Sequence, residues 1–109
     1  MVTKVDGNNG VLQSYDYQVL TTGFTYTFAT GTTTLIANPA GTLVAGTITM
    51  PVAPADGMVI TFSSTQIITA LVVLGNTGQS IVAAVTTLAA GGGAKYIYRL
   101  TNTTWYRTA

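Results

Sequence analysis

MVITFSSTQIITALVVL, residues 58–74, is the stretch whose reading decides the fold. In its first half Met58, Ile60 and Phe62 fall on one side of an extended chain, and Val59 and Thr61 fall on the other. A period of two is the pattern of a strand with one face buried. The second half, Ile67–Leu74, is apolar on both faces. That pattern suits a strand covered on both sides by a second sheet or a neighbouring subunit, and we expect it at the centre of the fold.

The rest of the chain repeats these devices. FTYTFAT, residues 24–30, sets Phe24, Tyr26 and Phe28 against Thr25 and Thr27. Helix formers are scarce, with 22 threonines and no glutamate among 109 residues, while β-branched and aromatic residues dominate. Turn signals fall between the apolar runs, such as Asn38-Pro39-Ala40-Gly41, Pro54-Ala55-Asp56-Gly57 and Gly75-Asn76-Thr77-Gly78. Pro fixes φ at a corner, and Gly and Asn accept the left-handed region. Short strands so spaced predict an all-β fold: one antiparallel β-sandwich or jelly-roll-like domain over residues 15–109, with a small barrel as the alternative. Residues 1–14, polar and glycine-rich at their start, are expected to form an N-terminal arm. We see no linker, no helical period and no repeat strong enough for a solenoid.

Composition narrows the chemistry. Without histidine or cysteine the chain lacks the usual general base, thiolate nucleophiles and the commonest metal ligands. Its three carboxylates are Asp6 near the start, Asp16, and Asp56 in a turn, which is a poor basis for a glycosidase pair. Lys4 and Lys95 flank no serine motif, and Gly91-Gly92-Gly93 lacks the Lys-Ser/Thr of a phosphate loop and precedes a strand. We therefore expect no enzyme, no catalytic residue, no metal and no cofactor.

Charge is the unusual property. Only seven residues carry it, and four cations against three anions make no stripe for nucleic acid. Residues 17–55 and 57–94 are uncharged but broken every few positions by Thr, Gly, Ser, Asn or Pro, so no membrane span is expected. A surface so neutral predicts cover by copies of the chain or by another protein.

The segment KYIYRLTNTTWYR, residues 95–107, holds four aromatics and three of the four cations. Paired across a turn at Thr101–Thr104, Leu100 faces Trp105, Arg99 faces Tyr106 and Tyr98 faces Arg107. Tyr96, Tyr98, Leu100 and Trp105 then share a core face, and Ile97, Arg99 and Tyr106 share an outer one. Trp105 or Tyr106 under a sugar ring is the competing reading, weaker than core plus interface. In SYDYQVL, residues 14–20, Tyr15 and Tyr17 share a face with Asp16 opposite. The candidate partner contacts are accordingly Tyr15, Tyr17, Arg99, Tyr106 and Arg107.

The run from NPAGTLVAGTITMP (residues 38–51) through PADGMVITFSSTQIITAL (54–71) to YIYRLTNTTWYR (96–107) resembles tailed-bacteriophage virion proteins, over roughly residues 35–109. That resemblance implies an all-β module, a homotrimer, located in the virion on the capsid exterior or in a tail appendage. A chain this short with neither shaft nor anchor is similar to the decoration or cement proteins that bridge and stabilise capsid subunits, with the major capsid protein or another virion protein as partner. The alternative is a small tail or head fibre module that binds a host glycan. The start MVTKVDGNNG has no apolar run after its lysine, so synthesis in the host cytoplasm without a signal peptide is expected.

Overall fold

The computed structural model describes residues 4–6, 10–12 and 15–108. Its strands are β1 (Lys4–Asp6), β2 (Gly10–Leu12), β3 (Tyr15–Gln18), β4 (Phe24–Thr27), β5 (Thr34–Ala37), β6 (Leu43–Thr49), β7 (Val59–Ser64), β8 (Ile68–Leu74), β9 (Ser80–Val82), β10 (Gly93–Arg99) and β11 (Thr104–Arg107). One 3-10 turn, Leu100–Asn102, is the helical element among the described residues. Within the expected arm, β1 and β2 pair as an antiparallel hairpin, and the remainder of residues 1–14 lies outside the described residues.

From β3 to β8 the chain alternates between two sheets. Strands β3, β5 and β7 stack in parallel within a six-stranded sheet ordered β3-β5-β7-β10-β11-β9, while β4, β6 and β8 form a parallel three-stranded sheet. The chain is all-β, as expected, but it winds as three stacked coils in a solenoid-like arrangement. This corrects the antiparallel sandwich or jelly roll. In the two larger sheets only β7 with β10 and β10 with β11 pair antiparallel.

The coils were invisible as a repeat because their corners differ in length. Tyr15, Thr34 and Thr61 are register partners, yet they stand 19 and 27 positions apart. Between Ala37 and Leu43 lie five residues, and between their register partners Ser64 and Ile68 only three. Strand pairing tolerates such variation, since the corners are surface loops, whereas a fixed-period comparison does not.

Stacking in register explains the residue usage. One inward row runs Asp16, Leu35, Phe62, Ala94, and the rows on the small sheet run Phe24, Gly46, Leu71 and Tyr26, Ile48, Val73. The large apolar members are buried in one core, each side chain contributing about 1.5–3 kcal/mol. Outward rows include Thr34 with Thr61, Thr25 with Thr47 and Val72, and Thr27 with Thr49 and Leu74. Parallel neighbours lie about 4.8 Å apart. Like charges there would repel, while threonine hydroxyls and methyls stack. Much of the scarcity of charge therefore has a cause within the fold.

Ile67–Leu74 was expected at the centre, and this too is corrected. Strand β8 ends the three-stranded sheet. Ile68, Leu71 and Val73 face the core, but Val72 and Leu74 on the other face are 48% and 46% exposed. The first half of its outer edge is covered by residues 86–88: Ile68 and Leu88 exchange N–H to O=C bonds, and the Leu71 N–H donates to Thr86 O.

Candidate interaction surfaces

The hairpin β10–β11 closes the core at the C-terminal side. Its observed register pairs Tyr98 with Trp105, Ile97 with Tyr106, Arg99 with Thr104 and Tyr96 with Arg107. The turn starts one residue earlier than the sequence suggested. Leu100 enters the 3-10 turn, Thr103 adopts φ 49°, and Asp56 Oδ1 accepts a 2.9 Å bond from the Leu100 N–H. The register moves by two, so the parity of the strand residues survives: Tyr96, Tyr98 and Trp105 are buried, while Ile97, Arg99 and Tyr106 face outward. Leu100 is the exception, expected inward but 53% exposed in the turn. Arg99 opposite Tyr106 is likewise corrected, since Tyr106 faces Ile97.

Trp105 is fully buried. Its Nε1–H donates to Gln79 Oε1 at 2.8 Å and its ring lies 4.9 Å from that of Tyr98. It offers no face to a sugar. Tyr96 is equally enclosed: its hydroxyl donates to Ala83 O at 3.1 Å, accepts from the Val85 N–H at 3.0 Å, and so ties residues 83–85 to the hairpin. Gly93 opens β10 where a Cβ would meet the Phe62 carbonyl, so this close strand approach requires glycine.

The predicted contacts fall into two groups. Arg99, Tyr106 and Arg107 are all exposed on β10–β11, but only Arg99 and Tyr106 share the outer face, since Arg107 is the register partner of inward-facing Tyr96. Tyr106 belongs to a row that the sequence did not reveal as a unit. Val59, Ile97, Tyr106 and Val82 are successive register partners on β7, β10, β11 and β9, all on the outer face of the six-stranded sheet. Ile97 and Tyr106 are each 37% exposed. Parity had placed Ile97 and Tyr106 outward, but nothing in the residues joins them to Val82, whose strand is only three residues long.

Tyr15 and Tyr17 lie at the opposite edge of that sheet, on β3, and are 67% and 51% exposed. The Tyr17 hydroxyl accepts a 2.6 Å bond from Asn38 Nδ2, and Asn38 Oδ1 accepts one from the Thr65 hydroxyl, also 2.6 Å. This ladder crosses one corner of all three coils. Behind it Asp16 faces inward and accepts from the Tyr26 hydroxyl at 2.9 Å and from Gln18 Nε2 at 3.0 Å. Burial, then the bond to Asp16 and its negative charge, push the Tyr26 phenol well above its ordinary value of 10.0. An inward carboxylate at a sheet edge disfavours pairing with another chain.

The outer face of β4-β6-β8 is the third surface. No residue of these three strands is charged. Threonines occupy its β4 side, and Val72 and Leu74 make its β8 side apolar. Among the described residues no cluster of three or more His, Cys, Asp or Glu is placed to hold a metal ion. No protein-family model matches this chain, and no curated protein matches it.

Proposed function

We propose that the protein is a structural component of a tailed-bacteriophage virion, most specifically a capsid decoration or cement protein without catalytic activity or cofactor. In this reading it forms a homotrimer on the capsid exterior and bridges the major capsid protein or another virion protein. The observation that carries the proposal is the bare outer face of the three-stranded sheet. Scarce charge alone is accounted for by coil stacking, but Val72 and Leu74, side by side with an uncharged threonine field, are surface that gains from being covered. Binding to an assembled lattice would stabilise that lattice by mass action. Particles stripped of the protein should lose integrity at lower temperature than complete ones, and adding it back should restore them. Equal heat resistance of the two would end the cement reading, and electron microscopy would count copies and give their radial position.

A second reading, a small fibre module on the tail or head that binds a host glycan, is favoured by Tyr15 and Tyr17. Exposed tyrosine rings stack on sugar faces, and the Asn38–Thr65 ladder holds the Tyr17 hydroxyl with its own proton available to a sugar oxygen. A glycan-array signal lost in Tyr15→Ala and Tyr17→Ala would favour it over the cement reading, and a blank array would remove it.

A further inference from the structure

We infer that the outer face of β7-β10-β11-β9 is a docking surface for an apolar protein segment that carries carboxylates on both flanks. The row Val59, Ile97, Tyr106 and Val82 supplies one outward apolar side chain from each of four adjacent strands. Three strand spacings make it about 14 Å long. Lys95 and Arg99 stand two residues before and after Ile97 on the same strand. They therefore project from the same face, about 7 Å to either side of the row. An apolar strip bracketed by cations is unlike the rest of this sheet, whose outward residues on β5 and β7 include Thr34, Thr61 and Ser63.

Charge decides the occupant. A second copy bound symmetrically by the same face would set Lys95 and Arg99 against their own counterparts, which is repulsive. The two acids whose side chains are described offer no better match, because Asp16 is held inward by Tyr26 and Gln18 and Asp56 is tied to the Leu100 N–H. Nucleic acid would ask for a run of phosphate contacts that four cations in the whole chain do not supply. An anionic bilayer would ask for four to eight clustered basic residues. What remains is a protein segment with Asp or Glu beside Leu, Ile, Val or an aromatic residue, an acidic amphipathic helix or strand. The surface lies on a different sheet from Val72 and Leu74, so the inference holds or fails independently of the virion reading.

The test is selection of a random 12-residue peptide display library on the immobilised full chain. Enriched peptides are expected to combine carboxylates with aliphatic or aromatic residues, and to bind Lys95→Glu/Arg99→Glu about tenfold or more weakly. Ile97→Thr, which keeps a β-branched residue in the strand, should also weaken them, and unchanged thermal unfolding of both variants shows that the fold is kept. Failure to enrich any peptide, enrichment of peptides lacking carboxylates, or binding indifferent to the charge reversal would overturn the inference. So would binding to phosphatidylserine vesicles that is lost in the same charge-reversal variant, which would make the patch a lipid site.

Discussion

The two ends of the coil stack solve the same problem with opposite chemistry. A parallel stack leaves its first and last coils with one uncovered side. At the C-terminal side the antiparallel hairpin β10–β11 supplies Tyr96, stacked on Phe62 and bonded to residues 83 and 85, and Trp105, packed against Tyr98 and bonded to Gln79. At the N-terminal side, the inward row that contains Leu35 and Phe62 ends in Asp16, which Tyr26 and Gln18 hold in a polar cluster. One end is closed by burying rings, where apolar area and satisfied hydroxyls do the stabilising. The other is closed by a carboxylate that no additional strand would welcome.

The contrast is broken most severely by Trp105→Ala. It removes a fully buried ring and leaves Gln79 without its indole partner, and we expect a loss of about 3–5 kcal/mol in urea unfolding. Gly46→Ala tests the coils between the two ends. Its Cβ would enter the Phe24 ring on the preceding coil, at a cost of about 1–3 kcal/mol, and the cost should shrink in a Phe24→Leu background if that contact is the cause. Tyr96→Phe keeps the ring but leaves the buried Val85 N–H without its acceptor. A loss of about 1–2 kcal/mol is expected, with faster hydrogen exchange confined to residues near 85.

The smallest effect belongs to the polar end. The Tyr26 phenol is raised above its ordinary 10.0, so its contribution is fully present below pH 10 and is lost as pH rises through the higher folded value. Alkaline titration should show the Tyr26 phenol ionising late, together with falling stability. Tyr26→Phe should remove that alkaline loss while costing about 1 kcal/mol at neutral pH, where Asp16 keeps only Gln18. A Tyr26→Phe protein with the same alkaline profile as the parent would assign the sensitivity elsewhere.

The same contrast explains what the residues disclosed. Local pattern is a property of one strand, and it located β4, β7 and the faces of β10–β11, because alternation and parity survive whatever pairs with them. Which strand pairs with which is decided by corners. Antiparallel neighbours joined by short turns and parallel coils joined through another sheet leave the same alternation in each strand. The apolar run at 67–74 was assigned to the centre because both its faces are apolar, and nothing in it records that one face has no partner among the described residues. Of the candidate contacts, Tyr106 was placed outward by parity, whereas for Tyr15 and Tyr17 parity fixed only a shared face, and that this face is the exposed one comes from the fold. The row through Val82 depends on β9 lying parallel to β11, a long-range pairing of three residues.

The unequal corners have a practical consequence. Where one coil turns with three residues, the coil before it uses five, 38–42, including exposed Ala40 and a Gly41 whose surroundings are open. A foreign epitope spliced between Ala40 and Gly41 would leave every register pair of β5 and β6 in place, and would hold its ends at fixed positions on the rim of the coils. The chain is in that respect a ready scaffold for presenting peptides.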